Sequence, residues 1–314
     1  MQSIIMDGAS LSNDRMKYQQ DEFDMLKNKH NIKPELVVVQ VGNNQASNCY
    51  ISIKEKRVKM AGCGYRLVSV PEEASTYTLR DIITNLNNDK SVTGILVQKP
   101  LPAHIDEEII DNSIHPLKDV DGFHPINTGL LHSGQIENCL VPCTPMGIMR
   151  LLNHYGVKLS GKNVLIFGRS SLVSNPLAKM MMDHNATVTQ VHSKTNKDRL
   201  DSLIFNADII VSAMGNTNHD YIDTMRLIGS HMDPVRGEGC SRSDYPIFID
   251  CGTNRDENGK VVGDFPLHEV EIFSSMCTPP TGCVGPMTVS CLIDNIIKAC
   301  RIQNGLTTTD ELEW

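Results

Sequence analysis

Short apolar runs rich in valine and isoleucine recur along this chain, and stretches with helical spacing separate them. Such runs are typical of strands that are buried on both faces of a parallel sheet. Strands that alternate with helices favour a parallel sheet, because each crossover helix returns the chain to the same edge. The pattern therefore predicts an α/β fold, and 314 residues are enough for two domains.

The first part of the chain carries two of these runs. Residues 36–41 and 94–98 are predicted strands, and Pro100 and Pro102 end the second one. Helical spacing predicts one helix over 48–61, ending at Gly62, and a crossover helix over 79–86.

A second series begins after the Pro-Cys-Thr-Pro segment at 142–145. The strands predicted there cover 164–167, 187–191, 208–213 and 247–250, with a helix over 175–183 after the first. This succession predicts a Rossmann-like parallel sheet. A last helix is predicted over 289–299, followed by a frayed tail at 307–314, and 228–245 reads as an exposed loop without periodicity.

Composition narrows the class of protein. Apolar residues make up 40% and charged residues 21%, as in a globular protein, and the net charge of −8 excludes a basic surface for nucleic acid. The ten cysteines form no C-x-x-C pair, which favours reduced thiols over a metal site. Because the sequence shows neither a targeting segment nor a membrane-spanning run, we expect a cytoplasmic protein without a membrane partner.

The turn after strand 164–167 is a candidate phosphate site. Gly168 is followed by Arg169 and then a predicted helix, whose N-terminus would face a phosphate, although G-x-G-x-x-G is not complete. About 20 residues on, where NAD-binding proteins place an acid, the chain has His192, Ser193 and Lys194. If a dinucleotide binds, NADP is favoured over NAD; the alternative is an ordinary solvated pair, Arg169 and Lys194.

A second group of candidates lies in the first part. Tyr50 and Lys54 are spaced i,i+4 on one helix face, and a lysine partly removed from water beside a ring can act as acid or base. Gln98 ends a strand, and Asp119 and Asp121 follow in a loop. The alternatives are that Lys54 belongs to a solvated face and that the aspartates only form turns.

These stretches, in this order, resemble the bifunctional methylenetetrahydrofolate dehydrogenase/methenyltetrahydrofolate cyclohydrolase family. The matching motifs lie at 41–47, 50–54, 94–102, 118–125, 142–145, 168–170, 192–195, 258–264 and 285–288. The resemblance covers nearly the whole chain, and several motifs are long enough to be specific.

The resemblance implies two domains flanking a cleft, and a homodimer. A folate-side α/β domain would cover 1–147, completed by the C-terminal helix 285–314, and a Rossmann-like NADP-binding domain would cover 148–284. It also implies NADP-dependent oxidation of 5,10-methylenetetrahydrofolate to 5,10-methenyltetrahydrofolate, and hydrolysis of that product to 10-formyltetrahydrofolate.

Residue roles follow from the same resemblance. Lys54 would be catalytic, with Gln98 tuning it, while Tyr50 lies against the folate and Asp121 holds the pterin. Leu101, Gly282 and Pro286 would also meet the substrate. NADP would contact Gly168, Arg169, Ser170, His192, Ser193 and Thr144, and no metal is implied.

The chain departs from the family pattern at several positions. Ser174 replaces a glycine in the cofactor turn, and Cys283 replaces one where a positive φ would strain a side chain. Gln45 and Thr281 replace prolines, and Lys99 replaces an apolar residue. Two alternatives therefore stay open, a chain that keeps only the cyclohydrolase activity and an inactive folate- or nucleotide-binding regulator.

Overall fold

The computed structural model describes residues 3–215 and 245–307, which divide into two compact units. The six-stranded unit takes the chain up to Leu11 and from Gly147 to Met287. The three-stranded unit takes it from Ser12 to Met146 and from Thr288 onward. Each unit is built on a parallel sheet, which confirms the predicted α/β class.

Strands and helices alternate along most of the described chain. In chain order the strands are β1 (Ile4–Ile5), β2 (Glu35–Val41), β3 (Gly64–Val70), β4 (Gly94–Val97), β5 (Asn163–Phe167), β6 (Thr187–Val191), β7 (Ile209–Ser212), β8 (Ile247–Asp250), β9 (Asn254–Arg255), β10 (Val261–Val262) and β11 (Met276–Cys277). The α-helices are α1 (Gly8–His30), α2 (Gln45–Met60), α3 (Thr76–Asn88), α4 (Glu107–Ser113), α5 (Pro125–His132), α6 (Cys143–His154), α7 (Ser174–Asp183), α8 (Lys197–Phe205), α9 (Leu267–Phe273) and α10 (Val284–Gln303).

The three-stranded unit has the strand order β3-β2-β4, and α2 and α3 are its crossover helices. Strand β4 is buried along its whole length, as its unbroken apolar sequence predicts. Helix α3 begins where the Ser75 side chain accepts the Thr78 backbone N–H, and its apolar stripe, Leu79, Ile83 and Leu86, packs on the sheet. The carboxyl ends of β2 and β4 therefore lie side by side at one edge.

The six-stranded unit has the strand order β1-β11-β8-β7-β5-β6, and all of these strands are parallel. The chain leaves β5 for β6 on one side and then returns to place β7 on the other side of β5. That reversal makes a switch point at the carboxyl ends of β5 and β7, where open α/β sheets bind ligands. Phe167, Phe248 and Phe265 meet edge-to-face in the core beneath it.

Some sequence features fall outside the described residues, namely 228–244 of the expected loop and 308–314 of the expected tail. The nine cysteines that the structure describes are all free thiols. Among the helices within 3–215 and 245–307, none combines the length and the apolar character of a bilayer-spanning segment.

Candidate active site

Lys54 and Gln98 meet at the carboxyl edge of the three-stranded sheet. Helix α2 follows β2 and carries Lys54, and Gln98 directly follows β4, where its backbone N–H continues the ladder to the Val39 carbonyl. The Lys54 Nζ donates a hydrogen bond of 3.1 Å to Gln98 Oε1. Gln98 Nε2 donates to the Lys99 carbonyl at 2.6 Å, so the amide is oriented with its oxygen toward the lysine.

This contact argues against a merely solvated Lys54. Its side chain is half-buried, whereas Lys56 and Lys59 on the same helix are exposed. Lys59 forms a surface ion pair with Glu55 at 2.6 Å, a kind of contact that contributes little to stability. Lys54 instead contacts Gln98 at the end of β4, and this position is suited to an amine that transfers protons.

Asp121 lies in a turn that is docked on β4. Asp119 forms a parallel bridge with Ile95, and Val120 is fully buried against Gly94, where a Cβ would lie 2.5 Å from Val120 Cγ1. The Asp121 side chain is half-buried. Within the described residues no side chain or backbone group donates a hydrogen bond to its carboxylate, which is thus available to a ligand.

The charges of Lys54 and Asp121 both affect the pKa of the buried Cys143 thiol. Burial raises its pKa well above the usual value, Asp121 raises it further, and Lys54 lowers it. Tyr50, one helical turn before Lys54, is 37% exposed, and Leu101 is half-buried just after Pro100.

Lys99, which replaces an apolar residue, has charged partners of its own. Its Nζ lies 2.8 Å from Asp111 and 3.2 Å from Glu107, and 5.5 Å from the centre of the Phe123 ring. Burial lowers the pKa of Lys99, but the bonds to the two carboxylates outweigh burial and leave that pKa raised. The two carboxylates therefore compensate the charge that lysine introduces at position 99. The Lys99 backbone carbonyl still orients the Gln98 amide.

The turn after β5 has the form that a phosphate site needs. Gly168 has a φ of +130°, and a Cβ there would lie 2.6 Å from Ser174 Oγ and 2.7 Å from the Ala213 carbonyl oxygen. Glycine is therefore required for the close approach of the turn to α7 and β7. Ser170 Oγ accepts the backbone N–H groups of Val173 and Ser174, at 3.2 Å and 3.4 Å, as the chain enters α7.

Ser174 occupies the space beside that glycine. It is the first residue of α7 and fully buried, and within the described residues its hydroxyl has no hydrogen-bond partner. The hydroxyl fits because Gly168 has no side chain. This departure from the family pattern is therefore accommodated, at the cost of one unsatisfied hydroxyl group.

The end of β6 presents basic and hydroxyl side chains to solvent. His192 is half-buried, while Ser193, Lys194 and Arg169 are exposed. Thr195 closes the turn, because its Oγ1 accepts the His192 backbone N–H at 2.9 Å. No acidic residue occurs between 192 and 197. An anionic group would therefore meet no repulsion from this turn.

The remaining predicted site residues are divided between the units. Thr144 lies in the three-stranded unit, whereas Gly168 and the other predicted cofactor residues lie in the six-stranded unit. The Thr144 Oγ1 is 3.1 Å from Thr288 Oγ1. Gly282 and Pro286 lie in the six-stranded unit. Gly282 is exposed with a φ of +80°, and Pro286 is half-buried.

Cys283, which replaces a glycine of the family pattern, does not have the positive φ that would strain a side chain. Among the described residues the non-glycine positions with positive φ are Asn31 and Asn185. The Cys283 side chain is fully buried, and burial raises the pKa of its thiol to about 11. A Cβ on Gly8 would lie 2.3 Å from the Cys283 carbonyl oxygen, so a glycine at position 8 accommodates this segment.

Two buried carboxylates received no role from the sequence: Asp250, which ends β8, and Asp264, which follows β10 and is bonded to the last residue of β7. Asp264 accepts hydrogen bonds from Ser212 Oγ at 2.6 Å, the Met214 N–H at 2.8 Å and Asn254 Nδ2 at 2.9 Å. Asp250 accepts the backbone N–H groups of residues 252, 264 and 265, and burial raises its pKa to about 6. The motif at 258–264 was the available signal, since it ends in Asp264.

Fold and sites together define an α/β protein of the dinucleotide-binding class, because a glycine turn lies at the switch point of its larger sheet. Two family descriptions narrow that class. "Tetrahydrofolate dehydrogenase/cyclohydrolase, catalytic domain" matches residues 6–121, and "Tetrahydrofolate dehydrogenase/cyclohydrolase, NAD(P)-binding domain" matches 142–227 and 238–304. The chain belongs to the tetrahydrofolate dehydrogenase/cyclohydrolase family, which confirms the resemblance drawn from its motifs.

Individual relatives agree with this assignment. The "Bifunctional protein FolD" of Streptococcus agalactiae is 41% identical over 295 residues, which are 94% of this chain and 96% of that protein. The crystal structure of the bifunctional FolD from Campylobacter jejuni superposes with a TM-score of 0.84 at 37% identity, covering 96% of this chain and 99% of the other. The Trypanosoma brucei FolD structure, complexed with NADP cofactor and inhibitor, gives 0.82 at 28% identity, covering 97% and 99%.

Proposed function

We propose that this protein oxidises 5,10-methylenetetrahydrofolate with NADP and hydrolyses the resulting 5,10-methenyltetrahydrofolate to 10-formyltetrahydrofolate. Family membership over both units supports the pair of activities. The observation that carries the proposal is the 3.1 Å contact between Lys54 Nζ and Gln98 Oε1. This contact supports a catalytic role for Lys54, because it joins a half-buried amine to an oriented amide.

The six-stranded unit would hold the dinucleotide. The positive φ of Gly168 and the absence of its side chain let a backbone turn approach α7, so the residues present fit a pyrophosphate there. Arg169, Ser193 and Lys194 would surround a 2′-phosphate, which favours NADP over NAD because residues 192–197 contain no carboxylate. Bound NADP supplies a hydride acceptor, and the chain contributes binding and orientation.

Lys54 would move the protons of the hydrolytic step. Water adds to the methenyl carbon, and opening of the ring requires a proton to leave that water and another to reach the departing nitrogen. An amine next to the substrate can take up and deliver these protons. Gln98 restricts the lysine to one direction, because its own amide is fixed by the Lys99 carbonyl.

Asp121 and Tyr50 would bind the substrate itself. The aminopyrimidine edge of a pterin offers paired N–H donors, and the Asp121 carboxylate can accept two of them. The exposed ring of Tyr50 offers an apolar surface for the folate, one helical turn from the amine. Leu101, Gly282 and Pro286 are the remaining proposed substrate contacts, and Thr144 is a proposed contact of NADP.

The proposal extends to organisation. The sequence predicts 1–147 with 285–314 as the folate-side domain and 148–284 as the NADP-binding domain. Because β1 joins the six-stranded sheet, we take the three-stranded unit, 12–146 and 288 onward, as the folate-side domain. The six-stranded unit, up to residue 11 and 147–287, would be the NADP-binding domain, in a cytoplasmic homodimer. The nine described free thiols are compatible with a reducing compartment.

The wild-type protein tests the function directly. We expect NADPH to form from 5,10-methylenetetrahydrofolate, and the absorbance of added 5,10-methenyltetrahydrofolate to decay faster than without enzyme. Hydrolysis without NADPH formation would support the chain with cyclohydrolase activity alone. Folate binding with neither reaction would support the inactive regulator and overturn the proposal.

A further inference from the structure

We propose that Asp119 is a positioning residue, whose buried carboxylate fixes the turn that presents Asp121 to the substrate. The inference rests on the proposed function, because it assumes that Asp121 holds the pterin. It adds a residue that touches no substrate and acts only through its neighbour.

The Asp119 carboxylate ties together both sides of the turn. Its Oδ1 accepts the Gly122 backbone N–H at 3.2 Å, and its Oδ2 accepts the His124 N–H at 2.8 Å and Asn127 Nδ2 at 3.0 Å. The residues before and after Asp121 are thus joined through one side chain. Asp119 is 2% exposed, so water does not compete strongly for these bonds.

The rest of the turn is packed too tightly to move independently. Gly122 has a φ of +78°, and a Cβ there would lie 2.6 Å from the Pro142 nitrogen and 2.7 Å from the Leu140 carbonyl oxygen. Asn295 Nδ2 donates to the Val120 carbonyl at 2.8 Å, which holds the turn from α10. Asp121 is the residue between these fixed points, and its carboxylate is the group left available.

The turn needs a side chain at position 119 that can accept three hydrogen bonds at once. Burial raises the pKa of Asp119 to about 6, against the effect of the donated bonds, so the group is ionised at pH 7.5. An ionised carboxylate is purely an acceptor, whereas an asparagine would turn an NH₂ group toward at least one of the three N–H donors. Asp119→Asn therefore keeps the volume of the side chain and disturbs the turn.

The test measures the dissociation constant for tetrahydrofolate by calorimetry at pH 7.5. The variants are Asp119→Asn, Asp121→Asn and the double variant. We expect each single change to weaken binding by about tenfold or more, as for a lost charge-assisted hydrogen bond. The double variant should bind no more weakly than Asp121→Asn alone, because Asp119 acts through Asp121.

Asp294→Asn is the matched control, since Asp294 is another buried carboxylate of the three-stranded unit, bonded to Arg15 at 2.7 Å. It should lower stability without changing the affinity for tetrahydrofolate. If Asp119→Asn does not fold, Asn127→Ala replaces it, because this variant removes one donor to the same carboxylate.

The outcomes separate the inference from the proposed function. If Asp121→Asn binds tetrahydrofolate more weakly but Asp119→Asn binds it unchanged, the inference is overturned and the proposed function stands. The inference is also overturned if the two losses of binding free energy add in the double variant. Unchanged binding in Asp121→Asn overturns the role proposed for Asp121 and the inference with it.

Discussion

Gln98→Met tests the contact on which the site depends. Methionine has nearly the length of glutamine but neither accepts from Lys54 nor donates to the Lys99 carbonyl, so the 3.1 Å and 2.6 Å bonds are both lost. A hydrogen bond to a charged group contributes about 1.5–3 kcal/mol. Because Lys54 is half-buried, water can replace part of the lost hydrogen bonding. We therefore use the lower value, about 1.5 kcal/mol, which corresponds to roughly a tenfold change in rate.

We therefore expect the kcat/KM for hydrolysis of 5,10-methenyltetrahydrofolate to fall about tenfold in Gln98→Met, measured by loss of methenyl absorbance. The dissociation constant for NADP should not change. Gln40→Met is the matched control, because Gln40 also ties a strand of this sheet to α2, through Asn48 at 2.6 Å, without touching Lys54. An unchanged kcat/KM in Gln98→Met, or an equal loss in Gln40→Met, would refute the reasoning.

Three further predictions concern the six-stranded unit. Arg169→Ala should raise the KM for NADP more than that for NAD in steady-state assays, and equal effects would contradict a role at the 2′-phosphate. Ser174→Ala should raise the free energy of unfolding in urea by about 1 kcal/mol, because it removes a buried hydroxyl that has no partner among residues 3–215 and 245–307; a loss of stability would show that the hydroxyl is bonded. The raised pKa of Asp250 means that the folded protein binds this proton more tightly than the unfolded chain. Wild type should therefore lose stability relative to Asp250→Asn as the pH rises from about 4 to about 6. The measurement is the difference between their free energies of unfolding, wild type minus variant, and an increase of this difference with pH would contradict the raised pKa of Asp250.

The sequence predicted the buried strands well, because unbroken apolar runs leave few alternatives. Residues 187–191 and 247–250 are strands within the predicted bounds, and β2 and β4 lie within a residue of theirs. Strand β3 was not predicted. It is an edge strand whose side chains are mostly half-buried or exposed, including Arg66 and Ser69, so it lacks the apolar signal.

Helix α1 was also missed, for a different physical reason. Its buried stripe contains Ser12 and Gln19 as well as Phe23, so polar residues interrupt the apolar periodicity. Gln19 is buried because its Nε2 donates to Ser290 and Asp294 on α10. Such pairing depends on residues more than 270 positions away, which a local pattern cannot reveal.

The candidate site was partly accessible from the sequence. Helical spacing put Tyr50 and Lys54 on one face, and the strand end at Gln98 placed an amide at the same edge. The orientation of that amide depends on a carbonyl in the following turn, and the available carboxylate of Asp121 depends on its neighbour Asp119. Neither could be derived without the packed turns.

The central claim is that the Lys54 amine performs the hydrolytic step, and the cyclohydrolase rate of Lys54→Met tests it most directly. General acid–base groups contribute about 10²–10⁴-fold, so we expect kcat to fall by at least about 100-fold while NADP still binds. Lys56→Met, an exposed lysine two residues away on the same helix, should keep the wild-type rate. A Lys54→Met enzyme that hydrolyses 5,10-methenyltetrahydrofolate at the wild-type rate would contradict the account.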